Sequence, residues 1–221
     1  MADVDLAQAR FNMIEQQVRT CDVLDQQVLD AFERVPREKF VQAVHRKLAY
    51  AELNLPLGHD EVMLSPSQEG RMLQALALTP GDQVLEVGTG SGYLTACLAT
   101  LARHVTSIDV FPDFLETAAE RLAGCGLDRR VLLERGDAAS GWNDGRRYEA
   151  IVVTGSLYHQ LDDFHESLAI GGRLLVVVGT GPIMEALLIT RVDNAQWLTT
   201  SLFDTWLPPL RHQPEPRGFF L

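Results

Sequence analysis

The sequence predicts an α/β protein: a doubly wound, mostly parallel sheet that ends in an antiparallel strand pair and is preceded by a helical extension. Three observations lead there. From about residue 66, short β-branched apolar runs alternate with helical patterns. A glycine-rich turn follows the first of these runs, and the last two runs are separated only by "DNAQ". Strands separated by helices and buried on both faces belong to parallel sheets, whereas two runs joined by a short polar turn form a hairpin.

Taken in order, residues 1–60 are charged and helical in period. Phe11, Ile14 and Val18 share one face, and Val28, Phe32 and Val35 share another before Pro36 stops the run. A single apolar stripe on a polar helix has to pack onto something else. The stretch "VMLSPSQEG" (62–70) then opens a helix. Ser65 takes the N-cap, Pro66 the first helical position and Gln68 the third, which makes a capping box. Met72, Leu73 and Leu76 lie on one side of that helix. Ser65 thus reads first as a cap and second as a catalytic hydroxyl.

The strand-forming runs are "QVLEV" (83–87), "HVTSIDV" (104–110), "RVLLERG" (130–136), "YEAIVVTG" (148–155) and "RLLVVVG" (173–179). The hairpin runs are "EALLITRV" and "WLTTSLFDTWL". Helical patterns such as "YLTACLATLAR" and "FLETAAERLAG" fall between the first four. The expected organisation is a helical extension over 1–65, a sheet domain over 66–210 and an irregular tail over 211–221.

Composition narrows the function. The chain has 221 residues, 46% of them hydrophobic and 22% charged, as in ordinary globular proteins. No apolar run approaches the roughly 20 residues that span a bilayer, and the N-terminus lacks a signal-peptide pattern. Cys21, Cys97 and Cys125 are odd in number and form no C-x-x-C pair, so neither a disulfide framework nor a metal site is expected, and a cytoplasmic location is. A formal charge of −11 disfavours nucleic acid as a partner. Oligomeric state is not encoded legibly.

The chemistry concentrates in "LEVGTGSGYL". Gly88, Gly90 and Gly92 form a G-x-G-x-G turn where a strand hands over to a helix. A dinucleotide fingerprint would place glycine at position 93, which is Tyr93, and no Lys-[Ser/Thr] follows to make a phosphate-cradling loop. The turn suits a nucleoside cofactor without a pyrophosphate. Asp109 ends the second run, where its carboxylate could accept both ribose hydroxyls or cap the next helix. Asp137 ends the third, where it could accept from an adenine amino group or close a turn. Glu86, inside a buried strand, needs a partner such as a cationic ligand or loop amides. Adenine, ribose and a positively charged amino-acid end together describe S-adenosylmethionine.

With these residues in view, the chain resembles class I S-adenosylmethionine-dependent methyltransferases, whose sheet is Rossmann-like, and within them the protein-L-isoaspartate O-methyltransferases. The resemblance runs from about residue 10 to 210. It rests on "VLDAFERVPREKFV", "LAYAELNLPLG", "VLEVGTGSGYLTACLA", "GDAASGW" and "YEAIVVTGS". It implies cofactor roles for the glycine turn, Asp109 and Asp137. The full expected set is Glu86, Gly88, Thr89, Gly90, Ser91, Gly92, Asp109, Val110, Gly136, Asp137, Ala138 and Thr154. It also implies that the N-terminal helices cover the cofactor and help form the substrate cleft, with S-adenosyl-L-homocysteine as the product.

The substrate half departs from the family pattern. Family members carry Thr-Ile-Ser before the proline that aligns with Pro66; here Val62, Met63 and Leu64 stand there. Ser67, Gln68 and Glu69 replace an aromatic- or histidine-containing segment. Thr154-Gly155-Ser156-Leu157 replaces Thr-Ala-Ala-Pro. The implied acceptor is a carboxylate: an isoaspartyl residue in a damaged protein or peptide, or a small-molecule carboxylate. A methyltransferase with a changed acceptor and a non-catalytic S-adenosylmethionine-binding protein are the alternatives. A carboxylate is ionised at neutral pH and needs no general base. That accords with the lack of a His–Asp dyad, His59 and His159 reading as surface residues.

Overall fold

The computed structural model describes residues 5–159 and 163–213; most of the expected tail over 211–221 lies outside them. Helix α1 (Leu6–Met13) starts at Asp5, whose carboxylate accepts the N–H groups of Ala7 and Gln8. It runs into a π-helical turn, Ile14–Val18, and a 3-10 turn, Arg19–Cys21. The wider π turn rotates the helix face. Ile14 and Val18 are buried as expected, but Phe11 is 58% exposed and Met13 takes the inward position. Helix α2 (Gln26–Arg34) is capped by Asp25 and buries Val28 and Phe32, with Val35 buried at its end, matching the expected face.

Two short 3-10 segments, Arg37–Lys39 and Ala43–Leu48, lead to strand β1 (Leu55–Gly58) and its antiparallel partner β2 (Glu61–Met63). His59 and Asp60 make the two-residue turn, both with positive φ, the geometry that matches the twist of a tight hairpin. This corrects the helical reading of the extension up to residue 60. Helix α3 (Pro66–Leu76) begins with the expected capping box, and the Ser65 N–H donates to Gln68 Oε1 at 3.1 Å.

The main sheet then forms: β3 (Gln83–Val87), helix α4 (Tyr93–Leu101), β4 (His104–Asp109), helix α5 (Pro112–Ala123), β5 (Val131–Arg135), β6 (Tyr148–Leu157), the one-turn helix α6 (Asp163–Glu166), β7 (Leu168–Val178), β8 (Met184–Asp193) and β9 (Gln196–Thr205). The spatial order is β5-β4-β3-β6-β7-β8-β9. Strands β3 to β7 pair in parallel, while β8 and β9 add as consecutive antiparallel hairpins. The chain steps outward from β3 to β5 and then returns to lay β6 on the other side of β3. The order reverses between β3 and β6, so a crevice is expected at their carboxyl ends.

Val84, Leu85, Val105, Ile151 and Val152 are fully buried along these strands, which explains why they read as continuous apolar runs. Helices α2 and α3 pack on this core beside α4. Among the described residues no helix is long and apolar enough to cross a membrane.

Candidate active site

At the switch point Gly88 leaves β3 with φ +98°, and a Cβ there would lie 2.1 Å from Thr154 Oγ1. The Thr154 hydroxyl fills that space because it donates to the carbonyls of Val87 and Gly88, each at 3.0 Å. Only glycine fits at position 88, for conformation and for room. Gly92 turns the chain into α4 with φ +81°, and a Cβ there would lie 2.9 Å from Ala118 Cβ. It lies among the lining residues of neither chamber of the crevice, so the expected cofactor contact at Gly92 gives way to a packing role against α5.

The crevice has two chambers, and Leu57, Val62, Gly88, Gly90 and Thr154 belong to the walls of both. The outer one is lined by Asp109, Val110, Gly136, Asp137 and Ala138 of the expected set. The inner one is lined by Thr89 and Ser91 of that set, together with Met63, Leu64, Glu69 and Leu94. Asp109 Oδ2 accepts the Gly90 N–H at 2.9 Å and Oδ1 accepts the Phe111 N–H at 3.0 Å. Burial raises its carboxyl, while these amides oppose the rise. Asp137 Oδ1 accepts the Ala139 N–H at 3.0 Å, and Oδ2 meets His212 Nδ1 at 2.8 Å. Both carboxylates therefore stand in the outer wall with fixed orientation and spare lone pairs, which suits polar edges of a nucleoside.

Glu86 is placed differently from expectation. It is fully buried beneath the turn, and neither chamber reaches it. Its partners are the hydroxyls of Thr95 and Ser107, which donate to Oε2 at 2.5 and 2.6 Å, and not a cation or loop amides. Burial pushes its carboxyl up to about 8. The Ser107 hydroxyl also bonds Thr89 Oγ1 at 2.6 Å, so Glu86 supports the turn from below.

Ser65 is buried and lines a separate, open groove with Glu52, Gln68 and Arg71. It faces neither chamber. Val62 lines both and Leu64 the inner one, so the two positions without hydroxyls do face the crevice. His159 is exposed. His59 sits at the rim, stacked on Phe111 at a ring separation of 4.0 Å and bonded to Asp113 at 3.0 Å.

Several wall residues were not foreseen. Phe111 and Phe114 give the outer chamber an aromatic side, and Pro208 to Arg211 close it from the far end of the chain. The phenylalanines stand directly after Asp109 in sequence, a usable signal. The 208–211 segment offers none, since the Ser156 N–H bonds the Pro208 carbonyl and the Leu210 N–H bonds the Ser156 carbonyl only through the fold. Arg211 fastens this segment to the β1–β2 hairpin, donating from Nε to Glu61 Oε1 at 2.6 Å and to the His59 carbonyl. Helices α1 and α2 line neither chamber; of the N-terminal extension only the hairpin and the residues just after it do so.

Comparison with known proteins gives one consistent result. The profile of the family described as Protein-L-isoaspartate(D-aspartate) O-methyltransferase matches residues 8–212. A protein-L-isoaspartate O-methyltransferase 1 of Rhodopseudomonas palustris is 37% identical over 96% of this chain and 89% of its own length. A protein-L-isoaspartate O-methyltransferase of Ectopseudomonas mendocina is 40% identical over 76% of this chain and 79% of its own. Among solved structures, a Plasmodium falciparum protein described by the same activity and bound to S-adenosyl-L-homocysteine superposes with a TM-score of 0.80. It covers 95% of this chain and 99% of its own at 17% identity.

Proposed function

The chain belongs to the protein-L-isoaspartate(D-aspartate) O-methyltransferase family, and from that premise we propose that it transfers a methyl group from S-adenosylmethionine to an isoaspartyl carboxylate of a protein or peptide. The observation that carries this reading is the crevice at the β3–β6 switch point. There the glycine turn, Asp109 and Asp137 line one cavity with the chemistry an adenosine needs.

The residues fit the cofactor. Asp109 offers carboxylate lone pairs to the ribose hydroxyls, Asp137 offers one to the adenine amino group, and Phe111 and Phe114 supply apolar surface for the base. Gly88 and Gly90 let the backbone approach closely, and Thr154 holds the end of β3 in place. When bound, S-adenosylmethionine supplies a sulfonium-activated methyl group. The protein's own work is then to align an acceptor oxygen with that methyl and to keep water out. Orientation of this kind can supply roughly 7–11 kcal/mol. A carboxylate with an ordinary pKa near 4 reacts in its ionised form, so no side chain has to remove a proton.

One observation favours a second reading, a changed acceptor. Val62 and Leu64, both lining the inner chamber, present apolar side chains where the family pattern has hydroxyls. Methyl incorporation into matched isoaspartyl and aspartyl peptides decides between the two. Isoaspartyl-selective turnover supports the first, and turnover confined to another acceptor supports the second.

A further inference from the structure

Resting on the reading of the crevice as an S-adenosylmethionine site, we infer that Glu69 receives the α-ammonium group of the cofactor's aminoacyl end in the inner chamber. Glu69 is in the first turn of α3, only 2% exposed, and is the one acidic residue among those lining that chamber. With the nucleoside held by Asp109 and Asp137 in the outer chamber, the aminoacyl end reaches past Gly88 and Gly90 into the inner one. An ammonium group taken from water into a confined chamber of the protein is favoured by an anion beside it. Glu86, the acid that sequence reasoning put forward for a cationic ligand, is sealed under the turn and engaged by two hydroxyls. Glu69 is the acid that the chamber exposes to a ligand.

Its surroundings prepare it for that role. Arg37, fully buried, bonds Glu69 Oε2 through Nη1 and donates from Nε and Nη2 to the carbonyls of Ala49 and Leu64. The carboxylate is thereby fixed in direction. Burial lifts its carboxyl to about 7 against the pull of Arg37, so a cation arriving beside it draws it to the ionised form. The aminoacyl end is zwitterionic and so brings no net charge of its own into the chamber.

The test compares ligands with and without the group in question. Calorimetry on the full chain would measure S-adenosylhomocysteine, its analogue lacking only the α-amino group, and 5′-methylthioadenosine, which lacks the whole aminoacyl end. In Glu69→Gln, which keeps an acceptor oxygen for Arg37, S-adenosylhomocysteine should bind about ten- to hundredfold more weakly. The other two ligands should bind wild type and variant alike, showing that the site is folded. In wild type, the deaminated analogue should be weaker than S-adenosylhomocysteine by a similar factor. Equal weakening of all three ligands in the variant would give Glu69 a structural role only and overturn the inference, as would unchanged S-adenosylhomocysteine affinity. Failure of wild type to bind any of the three would overturn the cofactor reading itself, and this inference with it.

Discussion

Arg37 and Glu69, 32 positions apart in sequence, meet as an ion pair with side chains 0% and 3% exposed. The Arg37 guanidinium also lies 4.6 Å from the centre of the Tyr93 ring, which is itself buried at the start of α4. One side chain thus ties the N-terminal extension to α3, to α4 and, through the Leu64 carbonyl, to the wall of the inner chamber. Removing one partner of such a pair leaves an uncompensated buried charge. Arg37→Ala should cost about 3–5 kcal/mol in urea unfolding. A loss below about 1 kcal/mol would mean that the site relaxes or admits water.

Asp109→Ala should weaken S-adenosylhomocysteine binding about ten- to hundredfold, since hydrogen bonds to a charged group contribute about 1.5–3 kcal/mol. The Gly90 and Phe111 amides that Asp109 accepts would lose their partner as well, so a modest drop in stability should accompany it. Calorimetry reads the affinity directly, and an unchanged value removes Asp109 from the cofactor site.

Ser65→Ala should lower stability by about 1 kcal/mol through loss of the cap. Cofactor affinity and turnover should hold, because Ser65 lines the groove beside Gln68 and Arg71 and neither chamber. Loss of turnover at full stability, with cofactor bound, would make this hydroxyl catalytic.

The sheet strands and the glycine turn were legible because their cause is local. Runs such as "AIVV" are buried on both faces, and Gly88 stands where Thr154 leaves room for no other residue. The β1–β2 hairpin escaped notice because its turn residues are His59 and Asp60, which adopt positive φ without the usual Asn-Gly signature. Phe11 was misplaced because the π turn over Ile14–Val18 breaks the 3.6-residue period on which the expectation rested. Glu86 was given the wrong partner because strand periodicity reports burial, not which buried face adjoins a cavity.

Stability should depend on pH through Glu86. Its carboxyl titrates near 4.5 when unfolded and near 8 when folded. Between those values the native state holds a proton that the unfolded chain has released. Unfolding free energy therefore falls as pH rises through this window, by up to about 1.4 kcal/mol per unit for one proton. Glu69, raised to about 7, adds to the fall in the lower part of it. Urea midpoints should drop from pH 5 to pH 8, and Glu86→Gln should shallow the slope. A variant with the full wild-type slope would locate the proton elsewhere.

Wild-type turnover of an isoaspartyl peptide should have a low specificity constant. Each hydroxyl absent at Val62 and Leu64 could remove a bond to the carboxylate of about 1.5–3 kcal/mol, and together they could lower kcat/KM by two to four orders of magnitude. Because both positions face the crevice, Val62→Thr with Leu64→Ser should raise the rate on isoaspartyl but not aspartyl peptides. Efficient wild-type turnover, unaffected by the double change, would show that another group supplies those bonds.

The clasp of Arg211 on Glu61 and on the His59 carbonyl bears on how the protein is made. From β7 onward, each strand lies beside the one that precedes it in the chain, so this half of the sheet can grow in the order of translation. The outer chamber cannot. Its far wall is residues 208–211, which follow every strand of the sheet in the chain and span back to a hairpin made long before. A nascent chain stalled after β9 would hold every strand of the sheet and an open-sided crevice. The outer chamber thus gains its far wall only once residues 208–211 have been made, after the whole sheet.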